Sequence, residues 1–306
     1  MPMSLMINYY YNYNQKGELT VRSYIDCVYC YLKQAVSCMK MAGIEDEKKM
    51  HEVIYELMDY VKTFDTEVTP AENSSRVLLK AYELIGIDDP YKEIKKKSND
   101  LALELYNGLK QKIENSDDRL YDALKIAVAG NVIDLGINRS FDIHEALAHS
   151  MDTGFSIDHY ELFRKKLEEV QEVLLLGDNS GEIVFDKLLV EELTRLGKQV
   201  TYVVKGAPIL NDATMEDALY VGMDKVARVI TNGSKYLGVC LERVSEEFIN
   251  TLYNANLIIS KGQANFESLE QDENVRGKAF FLLKIKCECV ADVAGAKLGD
   301  VVFFTK

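Results

Sequence analysis

The sequence predicts an α/β protein, in which an N-terminal all-helical domain precedes a Rossmann-like domain with a mostly parallel sheet and helices on both faces. Two observations support this prediction. Apolar residues recur at helical spacing up to about residue 168. Beyond that point, apolar runs of strand length alternate with helical stretches, which is typical of a parallel sheet covered on both faces. We therefore expect a helical domain or cap at residues 1–168 and an α/β domain at residues 169–306.

In the first part of the chain, helix boundaries follow from residue types that start or stop helices. Pro70 and Pro90 stand at favourable first-turn positions, and Gly43 fits a helix end. Helices are predicted at residues 24–43, 45–64, 70–85, 90–113, 117–135, 142–150 and 158–170.

The second part carries the predicted sheet. Strands are expected at residues 173–176, 200–204, 226–230, 257–259, 279–285 and 301–304. Helices are expected between them at residues 182–196, 211–221, 245–254 and 265–271. The order strand, helix, strand makes the carboxyl ends of the strands meet at one edge of the sheet.

Composition excludes several classes of protein. With 306 residues, 47% of them hydrophobic and only four prolines, the chain is globular rather than disordered. The formal net charge of -13 repels nucleic acids and anionic membranes. We find no apolar stretch long enough to span a bilayer and no signal-peptide pattern, so we expect a cytoplasmic protein. Six cysteines agree with a reducing compartment.

One loop stands out at the predicted sheet edge. Residues 177–182 read Gly-Asp-Asn-Ser-Gly-Glu and lie between an apolar strand and a helix. The first turn of such a helix offers N–H groups to an anion. Asp178 and Asn179 add oxygen ligands that hard divalent cations prefer. The loop therefore indicates a metal site beside a phosphate.

Three further polar loops follow predicted strands, at residues 205–212, 231–234 and 260–265. They contribute Asp212, Lys205 and Lys261, among other polar groups. Any one of these loops is equally well explained by turn formation or helix capping. Together they indicate a site that holds a metal and neutralises a phosphate.

Two pairs of cysteines leave a second possibility open. Cys27 and Cys30 lie one turn apart on a predicted helix, whereas Cys287 and Cys289 alternate on what reads as a strand. Their spacing permits a four-thiolate zinc or iron–sulfur site. Burial as small apolar residues explains them as well, and we favour that interpretation.

These motifs resemble the metal-dependent damage-control phosphatase family, also known as domain of unknown function 89, in the prokaryotic branch that has an N-terminal Cys-x-x-Cys. The resembling segments extend over nearly the whole chain. They are residues 27–30 with Gln34, 130–136, 177–186, 205–214, 261–267 and 282–287.

The resemblance implies roles for individual residues. Asp178, Asn179 and Asp212 would bind a divalent manganese, cobalt, nickel or magnesium ion, and Lys261 would contact the substrate phosphate. Glu182 is the remaining catalytic candidate, as a proton acceptor or as an orienting group. The surrounding substrate site would comprise Asn131, Lys205, Gly206, Gln263 and Asn265.

The leading functional hypothesis is metal-assisted hydrolysis of small phosphorylated metabolites, with no nucleic-acid or membrane partner. One alternative is an S-adenosylmethionine-dependent carboxyl methyltransferase, although the loop at residues 177–182 lacks the closely spaced glycines of nucleotide-binding motifs. Another is a non-catalytic thiolate–metal protein. The physiological substrate, the native metal and the oligomeric state stay open at this point.

Overall fold

The computed structural model describes residues 19–130 and 153–306. Its first part is helical, and local sequence explains where the helices begin and end. Helix α3 starts with Thr69 as N-cap and Pro70 in the first turn, and Gly86 ends it in the left-handed conformation. The helices of this part are α1 (Ile25–Met41), α2 (Glu47–Val61), α3 (Pro70–Ile85), α4 (Lys92–Glu114) and α5 (Arg119–Ala129).

The second part forms a sheet of seven strands in the order β1-β7-β6-β5-β2-β3-β4. Neighbouring strands are parallel except for β6 and β7, which are antiparallel. The strands are β1 (Ile157–Asp158), β2 (Glu172–Leu176), β3 (Gln199–Val204), β4 (Arg228–Thr231), β5 (Ile258–Lys261), β6 (Ala279–Lys284) and β7 (Val301–Phe304). The helices between them are α6 (Tyr160–Glu169), α7 (Glu182–Arg195), α8 (Met215–Tyr220), α9 (Glu246–Asn254), α10 (Gln263–Leu269) and α11 (Glu288–Ala294).

Strand β2 lies in the middle of the sheet and is buried on both faces. Val173 and Leu175 join a core with α5 and α7, whereas Leu174 and Leu176 join a core with α9, α10 and α11. This two-sided burial explains why the strand reads as a continuous apolar run rather than an alternating one.

The helical residues divide between two cores. Helices α1, α2 and α3 share a separate apolar cluster. Helices α4 and α5 instead contribute to the cluster that covers one face of the sheet. As a result, α4 and α5 reach the edge of the sheet where β2 ends.

The predicted fold class is confirmed, and the differences are local. The predicted helix at residues 211–221 begins at Met215, because residues 211–213 run as extended chain against residues 178–180. The short strand β1 was not predicted. Cys287 and Cys289 do not lie on a strand; Cys287 is the N-cap of α11 and Cys289 is within it. The helix expected at residues 142–150 lies outside the described residues, as does the part of the helix expected at residues 117–135 that follows residue 130.

The boundary expected near residue 168 stays a prediction, although β1 lies before it and pairs with β7. In the described ranges, none of the helices is both long and apolar enough to cross a lipid bilayer.

Candidate active site

The sheet topology creates a crevice beside β2. From β2 the chain moves outward to β3 and β4, and it then returns to form β5 on the other side of β2. The loops after β2 and β5 therefore diverge at the carboxyl ends of adjacent strands. This switch point is where open α/β sheets bind ligands.

Asp178, Asn179 and Asp212 come together at this crevice, as the sequence predicts. Asn179 and Asp212 form an isolated antiparallel bridge between the loops after β2 and β3. The Ala213 N–H donates to the Asp178 carbonyl over 2.9 Å. Asp212 is 4% exposed, whereas Asp178 and Asn179 are half-buried. Backbone pairing thus fixes two carboxylates and one amide next to each other.

The side-chain amide of Asn179 has a defined orientation. Its Nδ2 donates to Asp178 Oδ2 over 3.1 Å and to Glu182 Oε2 over 3.4 Å. Because both bonds use the amide nitrogen, the amide oxygen is left for another partner.

Gly262 holds the Asp178 carboxylate against the loop after β5. It has φ +81°, and a Cβ built on it would lie 2.1 Å from Asp178 Oδ2. Both the backbone conformation and the lack of space require glycine here. The Asp178 carboxylate, in the loop after β2, can therefore lie in van der Waals contact with the backbone that follows β5.

Substituting Gly262 by Ala is expected to displace the Asp178 carboxylate and to weaken divalent-metal binding by on the order of tenfold or more. Calorimetric titration of the protein with MnCl2 measures this effect. Gly277→Ala is the matched control, because Gly277 has φ +70° but open space around it. Equal metal affinity in the two variants would show that the contact with Asp178 is unimportant.

Lys261 is buried at the end of β5, and three acceptors surround its ammonium group. Nζ donates to Glu182 Oε1, to Asp186 Oδ1 over 2.6 Å and to the Ala127 carbonyl over 3.0 Å. Since an ammonium group has three N–H donors, all of them are engaged. The structure therefore places Lys261 between two carboxylates rather than free to meet a phosphate.

Asp186 and Tyr202 complete this network, and sequence reasoning assigned neither a role. The Tyr202 hydroxyl donates to Asp186 Oδ2 over 2.7 Å, and both residues are buried. Asp186 was detectable in principle, because it lies four residues after Glu182 on the same face of α7. Tyr202 lies within an apolar strand and gives no such signal.

The side chains at this edge include more acids than bases. The acids are Asp178, Glu182, Asp186 and Asp212, and the bases are Lys205 and Lys261. Burial raises the pKa of Glu182 to about 8, although Lys261 opposes the shift. Burial likewise raises the pKa of Asp212 to about 7, against the effect of Lys205. The four carboxyl groups of the site thus outnumber its two lysines.

Lys205 and Gly206 follow β3 and differ in what they can contact. Lys205 Nζ donates to the Gly238 carbonyl over 2.5 Å and lies 3.6 Å from Asp212 Oδ2. The Gly206 N–H donates to the Ser234 carbonyl over 2.8 Å. A Cβ on Gly206 would lie 2.5 Å from the Gly233 carbonyl carbon. Gly206 therefore allows two loops to pack closely.

Of the other predicted substrate residues, Asn265 lies at the crevice and Gln263 does not. Asn265 Nδ2 donates to the Lys261 and Gly177 carbonyls over 2.7 and 3.2 Å, which ties the two loops together. Gln263 Nε2 instead donates to Glu267 Oε1 and to Cys287 Sγ. Gln263 thus faces the cysteines and not the acidic crevice. Asn131 lies outside the described residues.

The helical part also supports the loop at residues 177–182. Asn99 on α4 accepts a hydrogen bond from the Gly181 N–H over 2.6 Å, and its amide donates to Asp217 over 2.9 Å. Together with the Ala127 carbonyl of α5, this contact makes the helices part of the site. Sequence reasoning did not detect the Asn99 contact.

The residues present fit a divalent cation of the hard type. Two carboxylates and one amide oxygen are suitable donors, and the excess of acids calls for positive charge. The buried Ser180 hydroxyl also has no hydrogen-bond partner in the described part of the chain. Within residues 19–130 and 153–306, no three His, Cys, Asp or Glu side chains form a ready metal-binding group. A cation here therefore depends on Asn179 and on oxygen from water or a ligand as well.

Fold and site together define a doubly wound α/β protein with an acidic, cation-compatible crevice at its switch point. The chain belongs to the family of the damage-control phosphatase ARMT1-like domain, whose family model matches residues 23–302.

Relatives and a solved structure agree with this membership. An uncharacterized protein of Methanocaldococcus jannaschii is 34% identical over 92% of this chain and 94% of its own length. A damage-control phosphatase of Pyrococcus horikoshii is 33% identical over 87% of this chain and 92% of its own. The crystal structure of a domain-of-unknown-function-89 protein from P. horikoshii superposes with a TM-score of 0.85. It has 30% identity and covers 93% of this chain and 99% of that one.

Proposed function

We propose that this protein is a metal-dependent phosphatase that hydrolyses small phosphate monoesters, such as sugar phosphates or damaged phosphorylated metabolites. The observation that carries the proposal is the convergence of Asp178, Asn179 and Asp212 in a crevice with too little positive charge. Membership of the damage-control phosphatase family and a relative named as such a phosphatase support it.

Asp178, Asn179 and Asp212 would hold the cation, which we assign to the group manganese, cobalt, nickel and magnesium. When bound, a divalent ion neutralises charge on the phosphoryl oxygens and makes water a better nucleophile. Both carboxylates and the Asn179 oxygen come from loops fixed by backbone pairing. The chain would therefore supply a preorganised set of donors.

We assign Glu182 an orienting role, which is one of the two roles left open by the sequence. Its Oε2 accepts from Asn179 Nδ2, so Glu182 turns the Asn179 oxygen toward the cation site. Lys261 in turn fixes Glu182 through its Oε1. Glu182 and Lys261 would thus act through Asn179, while remaining buried.

The contact with the substrate phosphate falls to Lys205 rather than Lys261. Lys261 has its three N–H donors engaged by Ala127, Glu182 and Asp186. Lys205 lies beside Asp212, at the rim of the proposed cation site. An ammonium group there can stabilise the charge that develops on a phosphoryl group.

We further propose that the helical region of residues 1–168 covers the crevice and selects the organic portion of the substrate. Support comes from Asn99 on α4, which binds Gly181, and from the Ala127 carbonyl at the end of α5, which binds Lys261. The first contact places α4 against the loop at residues 177–182, and the second places the end of α5 against the end of β5.

The proposal is tested by measuring phosphate release from a panel of phosphate monoesters and diesters with chelator-treated protein and each metal in turn. We expect hydrolysis of monoesters upon addition of a divalent metal. No release with any metal would refute the proposal. Calorimetry with S-adenosylmethionine tests the methyltransferase alternative in the same preparation, since the phosphatase account predicts no binding.

The stability of metal-free protein is expected to fall as pH rises from about 5 to about 8. The folded-state pKa values of about 8 for Glu182 and about 7 for Asp212 lie above those of free carboxyl groups. Across that window the folded state holds protons that the unfolded state has released, so raising the pH favours unfolding. Magnesium held by Asp178, Asn179 and Asp212 would compete with the proton on Asp212, so its stabilising effect is expected to grow over the same window.

Melting temperatures at several pH values, with chelator and with magnesium, measure this dependence. Glu182→Gln serves as the control, because it removes one of the carboxyl groups with a raised pKa and so reduces the slope of the metal-free protein. A slope that is identical in both proteins would show that Glu182 does not carry the effect.

A further inference from the structure

Four of the six cysteines form two pairs that are far apart in the sequence but near each other in the structure. Cys27 and Cys30 lie in the first turns of α1, Cys287 caps α11 and Cys289 lies within α11. The Cys289 thiol lies within reach of both the Cys27 and the Cys287 sulfur, and its single S–H can donate to one of them at a time. We call these four residues the cysteine cluster. It joins the first described helix of the chain to the last.

Donor groups surround the Cys287 sulfur. Gln263 Nε2 donates to it over 3.5 Å. Cys287 is also the N-cap residue of α11, beside the N–H groups of Cys289 and Val290, which contribute to lowering its pKa. The bond from Cys289 is the largest of the effects that lower the pKa of the Cys287 thiol to about 6. The same Cys289 thiol lowers the pKa of Cys27. A lowered pKa makes the thiolate, which is the form that binds metal, easier to reach.

The surroundings of the cluster contain little positive charge. Glu267 is 8% exposed and accepts from Gln263, and burial followed by the nearby Cys287 and Cys27 raises its pKa to about 8. The Asp26 carboxylate acts to raise the pKa of Cys27 and of Cys30, whereas Lys33 acts to lower the pKa of Cys30. Thiolates held by N–H donors next to a buried carboxyl group are better matched by a cation than by further anions.

We propose that Cys27, Cys30, Cys287 and Cys289 bind one soft divalent cation of the zinc class and thereby clip α1 to α11. Four thiolates in two short-range pairs are a donor set that zinc accepts in tetrahedral geometry. Three sulfurs are already neighbours, and Cys30 is exposed one turn further along α1. The side chains do not form a ready metal-binding group among the described residues. Binding therefore includes reorientation of the four side chains, with Cys30 turning toward the other three, and release to solvent of the protons that the thiols still hold.

A metal at the cysteine cluster would also restrict the motion of the loop after β5, which contacts Asp178 in the acidic crevice, although the cluster is not part of that crevice. Gln263 bonds to Cys287 through Nε2, and its Oε1 accepts from the Lys286 N–H over 2.9 Å. It is the first residue of α10, directly after the Gly262 that contacts Asp178. The proposal is independent of the phosphatase function, because it concerns metal at the thiols alone.

The test measures zinc content and cobalt spectra of reduced full-length protein purified without chelator. We expect about one zinc per chain that survives Asp178→Asn, is retained in the control Cys240→Ser and is lost in the double variant Cys27→Ser, Cys289→Ser. Cobalt substitution of the unmutated protein is expected to produce sulfur-to-cobalt charge-transfer bands. That measurement does not depend on the folding of any variant.

Three results would overturn the proposal. One is cobalt uptake by the reduced protein without charge-transfer bands from sulfur. Another is equal zinc content in the double variant and in Cys240→Ser, with both folded by circular dichroism. The third is a disulfide among the four cysteines, found by mass spectrometry, in freshly purified protein that takes up no zinc after reduction.

Discussion

Replacing Asp178 by Asn is expected to lower kcat/KM for phosphate monoesters by on the order of 1000-fold, with the melting temperature unchanged or slightly raised. The substitution keeps the shape of the side chain but removes one of the two carboxylates proposed to hold the cation. It also relieves repulsion within a cluster where acids outnumber bases. Steady-state kinetics at saturating metal, together with thermal unfolding, measure both effects.

Asp59→Asn is the matched control for this charge removal. The Asp59 side chain is 75% exposed and pairs with Lys62 on the surface. Its replacement is expected to leave kcat/KM at the parent value. An Asp178→Asn protein that works at the parent rate would remove Asp178 from the metal site.

Replacing Lys261 by Met is expected to destabilise the protein by about 3–5 kcal/mol and to abolish most of the activity. The change leaves the Glu182 and Asp186 carboxyl groups buried without their cation. Because both groups can take up protons, the loss is expected to be smaller at pH 5 than at pH 8. Denaturant unfolding at the two pH values measures the free energy difference.

Two further variants separate charge burial from a general effect of losing a lysine. Lys96→Met removes an exposed lysine that lies 3.5 Å from Asp100, and it should cost less than about 1 kcal/mol. Adding Asp186→Asn to Lys261→Met should recover part of the stability but not the activity. Full recovery of activity in that double variant would contradict the role of Lys261 in fixing Glu182.

The sequence was sufficient for the fold class and for placing Asp178, Asn179 and Asp212 at one edge of the sheet, because both depend on local patterns. Apolar runs with polar loops at their ends indicate parallel strands, and Asp178, Asn179 and Asp212 follow such runs. The structure brings these three side chains together through the backbone pairing of two loops. Hydrophobic periodicity therefore predicts which residues lie at the edge of the sheet, but not their side-chain contacts there.

Long-range partners could not be predicted in the same way. Lys261 reads as a strand-end lysine, yet three groups from α5 and α7 enclose its ammonium group. Tyr202 looks like an ordinary apolar strand residue until its hydroxyl is placed against Asp186. Cys287 and Cys289 were wrongly placed on a strand, because two alternating cysteines are also compatible with a helix N-terminus. Such features depend on tertiary contacts rather than on spacing.

The central claim is that a cation held by Asp178, Asn179 and Asp212 makes this protein a phosphatase. The most direct test titrates chelator-treated protein with manganese and follows metal binding by electron paramagnetic resonance and p-nitrophenyl phosphate hydrolysis in parallel. We predict no hydrolysis before metal is added, and binding and rate curves that rise together and are both lost in Asp212→Asn. Hydrolysis at an undiminished rate in chelator, or binding that is unchanged in Asp212→Asn, would contradict the claim.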